Sequence, residues 1–263
     1  ASSHTPWDGG KLMQPEAGGW EAIAPTAVPY SPSELPPREM TGADLDRVRE
    51  AFVHAAQRSA RLGIDAIELH AAHGYLLHTF LSPLTNRRND RYGGSLANRM
   101  RFPLEVFSEV RKVWPEAKPL GVRISASDWI EGGWDLPQSI EFARQLKQAG
   151  CDWIDASSGG LAPEQKITLV PGYQVPFAEA IRRQAGIPTI AVGLITEPRQ
   201  AEDIVAAGRA DMVALARGLL FDPHWAWRAA AELGGEVRAP KQYWRAPPRG
   251  AEAIFRGAKV GMR

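Results

Sequence analysis

Residues 67–102 read IELHAAHGYLLHTFLSPLTNRRNDRYGGSLANRMRF, and this stretch decides the fold. It begins as a short apolar run, passes through a polar loop punctuated by glycine, and ends in a helical pattern, which predicts a strand, a loop and a helix. His70, His73 and Tyr75 stand where the apolar run ends. Parallel α/β scaffolds present ligand-binding groups at the carboxyl ends of their strands. The stretch therefore predicts a βα unit with a candidate active site at the end of its strand.

The same order of strand and helix repeats along the chain. A helix that starts at a capping box, Thr41 with Asp44, and stops at Gly63 precedes the first strand. The predicted strands cover residues 64–70, 120–125, 152–157, 188–192 and 212–216. The further predicted helices cover residues 95–114, 136–149, 177–185, 198–207 and 223–233. Apolar strands that alternate with helices predict an α/β fold with a parallel sheet.

Two architectures fit this alternation. An open, doubly wound sheet is expected to carry a glycine-rich phosphate fingerprint after its first strand, but IELHAAHG contains no GxGxxG. A TIM (β/α)8-type barrel fits better, because such barrels keep their chemistry at the carboxyl ends of the strands. The polar candidates at those ends are His70, Arg123, Ser157, Gly193 and Arg217.

The strand count limits this interpretation. A TIM barrel needs eight strands and typically about 250 residues, whereas the sequence predicts five strands. The tail, residues 238–263, is too short for three further βα units, because each needs roughly 30 residues. The sequence therefore predicts an incomplete barrel with five βα units, and the units that it lacks belong before the first predicted strand.

Composition narrows the class of protein. The 263 residues are 44% hydrophobic, and their formal net charge of +1 comes from 31 basic and 30 acidic residues. We therefore expect a substantial core, no nucleic-acid partner and no membrane partner. The single cysteine, Cys151, excludes an internal disulfide and is interpreted as structural. With no signal peptide or long apolar run, we expect a soluble cytoplasmic protein.

A zinc site is the alternative interpretation of the two histidines. His70 and His73 are three positions apart and could both reach one metal ion. Zinc needs at least one more protein ligand, and the sequence has neither an HExxH motif nor clustered cysteines. We therefore expect no metal site.

Residues 70–106, HAAHGYLLHTFLSPLTNRRNDRYGGSLANRMRFPLEV, closely resemble the signature of the Old Yellow Enzyme family, the FMN-dependent ene-reductases, and in particular its bacterial, thermophilic-like subgroup. The resemblance continues through VRISASDW, DASSGG, AVGLI and LARGLLFDPHW. It implies that residues 1–40 correspond to the loop after the third barrel strand. Residues 41–237 then carry βα units four to eight, and residues 238–263 form a C-terminal tail.

The resemblance also implies a reaction. Relatives take a hydride from NADPH or NADH onto FMN and use it to reduce the C=C bond of activated alkenes such as enones and nitroalkenes. By position in the motif, His70 and His73 would bind the oxygen of the substrate's electron-withdrawing group. Tyr75 would donate a proton to the α-carbon.

Further residues are assigned by the same resemblance. Arg123 would contact the N1 and O2 edge of the flavin, and its alternative role is a salt bridge inside the barrel. Gly193, Ala216 and Arg217 would bind the FMN phosphate, although Ala216 stands where some relatives have glycine. Arg245 matches an arginine that reaches into a neighbouring subunit's active site. We therefore expect the complete protein to be a homo-oligomer.

Two other functions stay open. The chain could be a non-catalytic or partner-requiring barrel fragment that lacks full flavin binding, and the strand count favours this alternative. It could also resemble barrel flavoenzymes that reduce dienoyl thioesters and carry an iron–sulfur domain. A cysteine cluster would favour that class, but the chain has one cysteine.

Overall fold

The N-terminal region of the computed structural model, which describes residues 3–258, consists mostly of turns. It contains two kinds of element that the sequence did not predict. One is a pair of short 3₁₀ helices, Pro6–Asp8 and Pro15–Ala17. The other is a two-stranded parallel sheet of β1 (Ile23–Ala24) and β2 (Arg38–Glu39).

Helix α1 (Gly42–Arg61) begins at the predicted capping box. The Asp44 backbone N–H donates to Thr41 Oγ1 at 3.2 Å, and the Thr41 backbone N–H donates to Asp44 Oδ2 at 2.9 Å. These bonds satisfy donors that a helix start otherwise leaves without partners. The helix ends next to Gly63, whose φ of 77° is in the left-handed region that glycine tolerates.

The main sheet has five parallel strands that lie side by side in chain order. They are β3 (Ile67–Ala71), β4 (Leu120–Ser125), β5 (Trp153–Ser157), β6 (Thr189–Val192) and β7 (Met212–Ala214). The helices after α1 are α2 (Leu76–Leu81), α3 (Leu96–Val113), α4 (Leu136–Gln148), α5 (Val175–Ala185), α6 (Pro198–Ala206), α7 (Arg217–Phe221) and α8 (Trp225–Leu233). Within the described residues, this is the sequential parallel order of a barrel wall that has not closed.

The two faces of the sheet differ in chemistry, because successive strand residues point to opposite sides. The outer face is apolar and packs with the helices in one hydrophobic core; it includes Leu69, Val122, Ile124, Ile154 and Ala191. The inner face carries one row of residues that the strand register places side by side. That row consists of His70, Arg123, Asp155, Ile190 and Met212.

Several element boundaries differ from the predictions. The first strand begins at Ile67, because the segment from residue 62 to residue 64 completes the turn that ends α1. The last strand stops at Ala214 and the last helix begins at Trp225. The two short helices α2 and α7 were not predicted, because segments of six and five residues are too short for a helical period to be visible.

We expect Gly121→Ala to lower the free energy of unfolding by about 1–3 kcal/mol, the usual cost of overpacking. A Cβ at Gly121 would overlap the Trp153 ring. The ring cannot easily move, because Trp153 Nε1 donates to Glu68 Oε2 at 2.7 Å. Gly42→Ala is the matched control, since a Cβ at that first residue of α1 meets no atom within 4 Å. Equal denaturation midpoints for the two variants would contradict the prediction.

Candidate active site

The candidate site is a tight turn at the carboxyl end of β3. His73 and Gly74 both have left-handed backbone conformations, with φ of 58° and 73°. A Cβ on Gly74 would overlap the Gly160 carbonyl oxygen, so only glycine fits there. The turn brings the three predicted residues together. The His70 ring centroid lies 5.1 Å from that of His73 and 5.4 Å from that of Tyr75.

Both histidines are partly buried, and this controls their charge. Burial lowers the pKa of His70 and lowers that of His73 to about 4, and the nearby positive charge of Arg123 adds to both effects. At neutral pH each ring is therefore uncharged, with one nitrogen that donates and one that accepts. Two neutral imidazoles can offer N–H groups to a ligand oxygen without carrying a charge of their own.

Two serines hold His73 in place. Its backbone N–H donates to Ser125 Oγ at 2.9 Å, and its ring Nε2 lies 2.7 Å from Ser157 Oγ. Ser125 in turn donates to the Gly159 carbonyl at 2.8 Å. These serines end β4 and β5, so the next two strands of the sheet fix the conformation of a residue that follows β3. Because Nε2 pairs with Ser157, Nδ1 is the His73 ring nitrogen that is not bonded to this serine.

A charged pair lies in the inner row next to the histidines. Arg123 Nε is 3.3 Å from Asp155 Oδ2. Arg123 Nε and Asp155 Oδ1 are nevertheless buried without a hydrogen-bond partner. Burial raises the pKa of Asp155 to about 7, although the Arg123 charge opposes the change. The alternative role of Arg123 in a salt bridge is thus present, and its unsatisfied Nε also suits a further acceptor.

The predicted phosphate residues follow β6 and β7. Gly193 has φ of 116°, and a Cβ there would come 2.7 Å from Gln174 Nε2. Gln174 is buried and fixed, because its Nε2 donates to the Val192 carbonyl at 3.1 Å. Ala216 and Arg217 stand at the start of α7, directly after β7. Gly193 is therefore a position that only glycine fits, because a side chain there would meet Gln174.

A cavity adjoins the turn on the side of Tyr75. Its volume is about 570 Å³, and its lining includes Tyr75, Leu161, Ile23 and Tyr30. This size is in the range of small-molecule sites, which span roughly 300–1,000 Å³. Tyr75 is 53% exposed at the edge of the cavity. A ligand in the cavity would therefore meet the phenol directly.

Comparisons with known proteins identify the family of this chain. Residues 9–236 match the model of the NADH:flavin oxidoreductase / NADH oxidase family. The chain belongs to this family. The resemblance to the Old Yellow Enzyme family is thereby confirmed, and so is descent from flavin-dependent oxidoreductases.

Relatives within the NADH:flavin oxidoreductase family are close in sequence. The NADPH dehydrogenase of Geobacillus thermodenitrificans is 52% identical over 225 residues, which are 86% of this chain and 65% of that protein. The NADPH dehydrogenase of Bacillus subtilis is 47% identical over 225 residues, which are 86% of this chain and 66% of that protein. The chain thus spans about 65% of the length of its relatives.

Solved structures give the same fold. A 2-naphthoyl-CoA reductase complex superimposes with a TM-score of 0.73 at 33% identity, over 78% of this chain and 32% of that one. Morphinone reductase in complex with tetrahydroNAD superimposes with a TM-score of 0.67 at 26% identity, over 90% of this chain and 67% of that one. The predicted fold, a TIM-type barrel with five of its βα units, is confirmed.

Arg245 is not brought to the turn. It is exposed in the tail, after the 3₁₀ helix Lys241–Tyr243. Its assignment to a neighbouring subunit's active site in the NADH:flavin oxidoreductase family stays a prediction.

Cys151 is buried in this family member, as its structural interpretation requires. Its thiol donates to the Trp153 carbonyl at 3.2 Å, and burial raises its pKa to about 12. The thiol is therefore protonated at neutral pH and is a poor nucleophile. Among residues 3–258, no group of three or more His, Cys, Asp or Glu side chains is arranged to hold a metal ion. No helix in that range is long and apolar enough to cross a membrane.

Sequence reasoning missed four residues around the site: Ser125, Asp155, Gln174 and His78. Asp155 did carry a signal, because an acidic residue inside the strand WIDAS needs a partner across the sheet. Ser125, Gln174 and His78 carried none, since nothing in the residues around a strand-end serine, a glutamine before a helix or a histidine in a short helix indicates a contact near the turn.

Proposed function

We propose that the protein, within a complete barrel, is an FMN-dependent NAD(P)H oxidoreductase that reduces the C=C bond of activated alkenes such as enones and nitroalkenes. One observation carries the proposal: two uncharged histidines and an exposed tyrosine meet at the strand end that adjoins the Arg123 row. The substrates are small molecules, and the cavity beside Tyr75 has a suitable size.

The residues present fit FMN. The buried and unsatisfied Arg123 Nε suits the flavin's N1 and O2 edge, where negative charge collects on reduction. Gly193 and the Ala216–Arg217 segment directly follow the neighbouring strands β6 and β7, and their backbone N–H groups and the Arg217 guanidinium would hold the phosphate. When bound, FMN supplies a hydride that it has received from NADPH or NADH. The names of the NADPH dehydrogenase relatives and the tetrahydroNAD complex of morphinone reductase support a nicotinamide reductant.

The histidines would polarise the substrate. Negative charge develops on the carbonyl or nitro oxygen when the β-carbon is reduced, and preorganised N–H donors stabilise it. His70 and His73 are preorganised, because β3 and the Ser125 and Ser157 hydroxyls fix their positions. Tyr75 would donate its phenolic proton to the α-carbon, and its exposure at the cavity gives the access that this transfer needs.

A second candidate function follows from the open sheet. β3 and β7 are the edge strands of the main sheet in the described part of the chain, and Met212 on the inner face is 44% exposed. Unpaired edges and exposed apolar groups favour pairing with another segment. The chain would then be a barrel fragment that binds FMN only when a partner segment supplies three more strands.

An FMN titration followed by absorbance and size-exclusion chromatography tests these proposals. The comparison uses the 263-residue chain and a completed chain, to which the three βα units that the proposal requires are added from the Geobacillus thermodenitrificans relative. We expect the first to bind FMN weakly or not at all. The completed chain should bind one FMN, lose its yellow colour with NADPH and regain it with an enone.

Substitution of Arg123 tests the cofactor site within the completed chain. Loss of a hydrogen bond to a charged group costs about 1.5–3 kcal/mol, so Arg123→Gln should weaken FMN binding by roughly 10–100-fold. Arg183→Gln is the control, because that side chain is 64% exposed and pairs with Glu179 on the outer helix α5.

Reduced flavin that neither an enone nor a nitroalkene reoxidises would reject the proposed reduction of activated alkenes. Tight FMN binding by a monodisperse 263-residue chain would reject the need for further strands.

A further inference from the structure

A buried histidine beside the site has no role in the mechanism above. His78, in α2, is fully buried, and both of its ring nitrogens are hydrogen-bonded. Nδ1 lies 2.9 Å from the Gly74 backbone nitrogen, and Nε2 lies 2.9 Å from Asp128 Oδ1. Gly74 is the residue between His73 and Tyr75, so His78 holds the backbone between the two side chains that would meet the substrate.

The partners determine the tautomer of His78. A backbone N–H can only donate, so Nδ1 must be the unprotonated acceptor. Nε2 must then carry the proton, and it donates to the Asp128 carboxylate. Asp128 is itself fixed, because its Oδ2 accepts from Ser82 Oγ at 2.6 Å and from the Trp134 backbone N–H at 2.7 Å. The ring therefore has one orientation and one protonation pattern.

The turn needs this support. His73 is a non-glycine residue with φ of 58°, a conformation that persists only where its surroundings determine it. Three consecutive backbone N–H groups are anchored: His73 to Ser125 Oγ, Gly74 to His78 Nδ1, and Tyr75 to the Ala72 carbonyl. The anchor at Gly74 is the one that connects the turn to the loop between β4 and α4, where Asp128 lies.

We propose that His78 is a positioning residue, which Asp128 locks as the Nε2–H tautomer so that its Nδ1 fixes the His73–Gly74–Tyr75 turn in the geometry that binds the substrate oxygen. This rests on the proposed function for the meaning of that geometry. The ring does not touch the ligand. It acts through the Gly74 N–H, and its effect should appear in ligand affinity and in the mobility of the turn.

The first test is spectroscopic and independent of any activity. In the ¹⁵N-labelled 263-residue chain, we expect a scalar coupling across the hydrogen bond between the Gly74 amide nitrogen and His78 Nδ1. We also expect a slowly exchanging proton on His78 Nε2. A protonated Nδ1, or a Gly74 amide that exchanges as rapidly as an exposed loop amide, would overturn the proposal.

The second test measures function in the completed, FMN-loaded chain. We expect His78→Leu to weaken binding of p-hydroxybenzaldehyde, a phenol that mimics the substrate oxygen, by at least tenfold. His78→Asn should recover part of the affinity, because its side-chain oxygen can replace Nδ1 as acceptor for Gly74. Phe80→Leu is the control for general destabilisation, since Phe80 is equally buried in α2 but is not bonded to the turn.

The variants distinguish failure of the positioning role of His78 from failure of the proposed function. If His78→Leu and Phe80→Leu are equally destabilised and bind the phenol equally well, His78 is only structural and the positioning role is rejected. If the wild-type completed chain reduces no alkene, the proposed function fails, while the coupling to Gly74 and the difference in phenol affinity still report on His78. Affinity unchanged in His78→Leu, in a chain that does reduce an enone, rejects the positioning role alone.

Discussion

Replacing both His70 and His73 by alanine is expected to weaken phenol binding to the completed, FMN-loaded chain by roughly 10²–10⁴-fold, because two hydrogen bonds to a charged oxygen contribute about 1.5–3 kcal/mol each. Both rings are uncharged at neutral pH, since burial lowers their pKa values. The stabilisation therefore comes from N–H donation. The measurement is a titration of p-hydroxybenzaldehyde followed through the flavin spectrum.

The two single variants, and a control variant at a histidine away from the site, test this prediction further. His70→Ala and His73→Ala should each cause part of the loss. His73→Ala should also remove one of the two partners of the Ser157 hydroxyl, which lies 2.7 Å from His73 Nε2 and donates to Gln174 Oε1 at 3.5 Å. His54→Ala is the control, because His54 is exposed on α1, away from the turn. Unchanged phenol affinity in the double variant, with FMN still bound, would remove both histidines from the site.

The stability of Asp155→Asn relative to wild type is expected to rise with pH between about pH 4 and pH 7. Burial raises the pKa of Asp155 from 3.8 to about 7, and its side chain is only 6% exposed. In that pH window the folded protein holds a proton that the unfolded chain has released, so wild type loses stability as pH rises. The slope is about 1.4 kcal/mol per pH unit, and the whole effect is on the order of 4 kcal/mol.

The prediction concerns a difference between variants, because other groups titrate in the same range. His70 and His73 act in the opposite direction, since their pKa values are lowered on folding and their protonation at acid pH destabilises the fold. They contribute equally to wild type and variant, so their contributions cancel in the difference.

Urea denaturation from pH 4 to pH 8 measures the difference in the free energy of unfolding between Asp155→Asn and wild type. Asp203→Asn, at an exposed carboxyl on α6, is the control. A flat difference for Asp155→Asn would contradict the raised pKa.

The fold was largely predictable from sequence, because its signals are local. The capping box at Thr41 begins α1 as expected, and the strand predicted for residues 120–125 matches β4. The alternation of apolar strands with helices predicted a parallel sheet, and the absence of a glycine-rich phosphate fingerprint favoured a barrel over an open sheet. Element ends were less accurate, because turns such as the one after α1 depend on hydrogen bonds that do not follow from residue type.

The identity of the site residues was less predictable than their region. The sequence identified the strand end at His70 and the resemblance to the Old Yellow Enzyme family assigned roles along it. It did not indicate that Arg123 faces Asp155, or that His78 supports the turn. Such partners are brought together by strand register and by loops from the next βα unit, and neither has a local signature.

The sequence by itself determined the order of strands and helices, the five βα units and the placement of His70, His73 and Tyr75 at a strand end, because each follows from residues that are near one another in the chain. Only the tertiary structure decided the left-handed conformation of His73, the charge state of the histidines and the pairing of Asp155. Those properties depend on burial and on partners far away in sequence, such as Ser125 and Ser157, which lie 52 and 84 positions from His73. Packing brings these residues within hydrogen-bonding distance, and packing is a property of the whole fold.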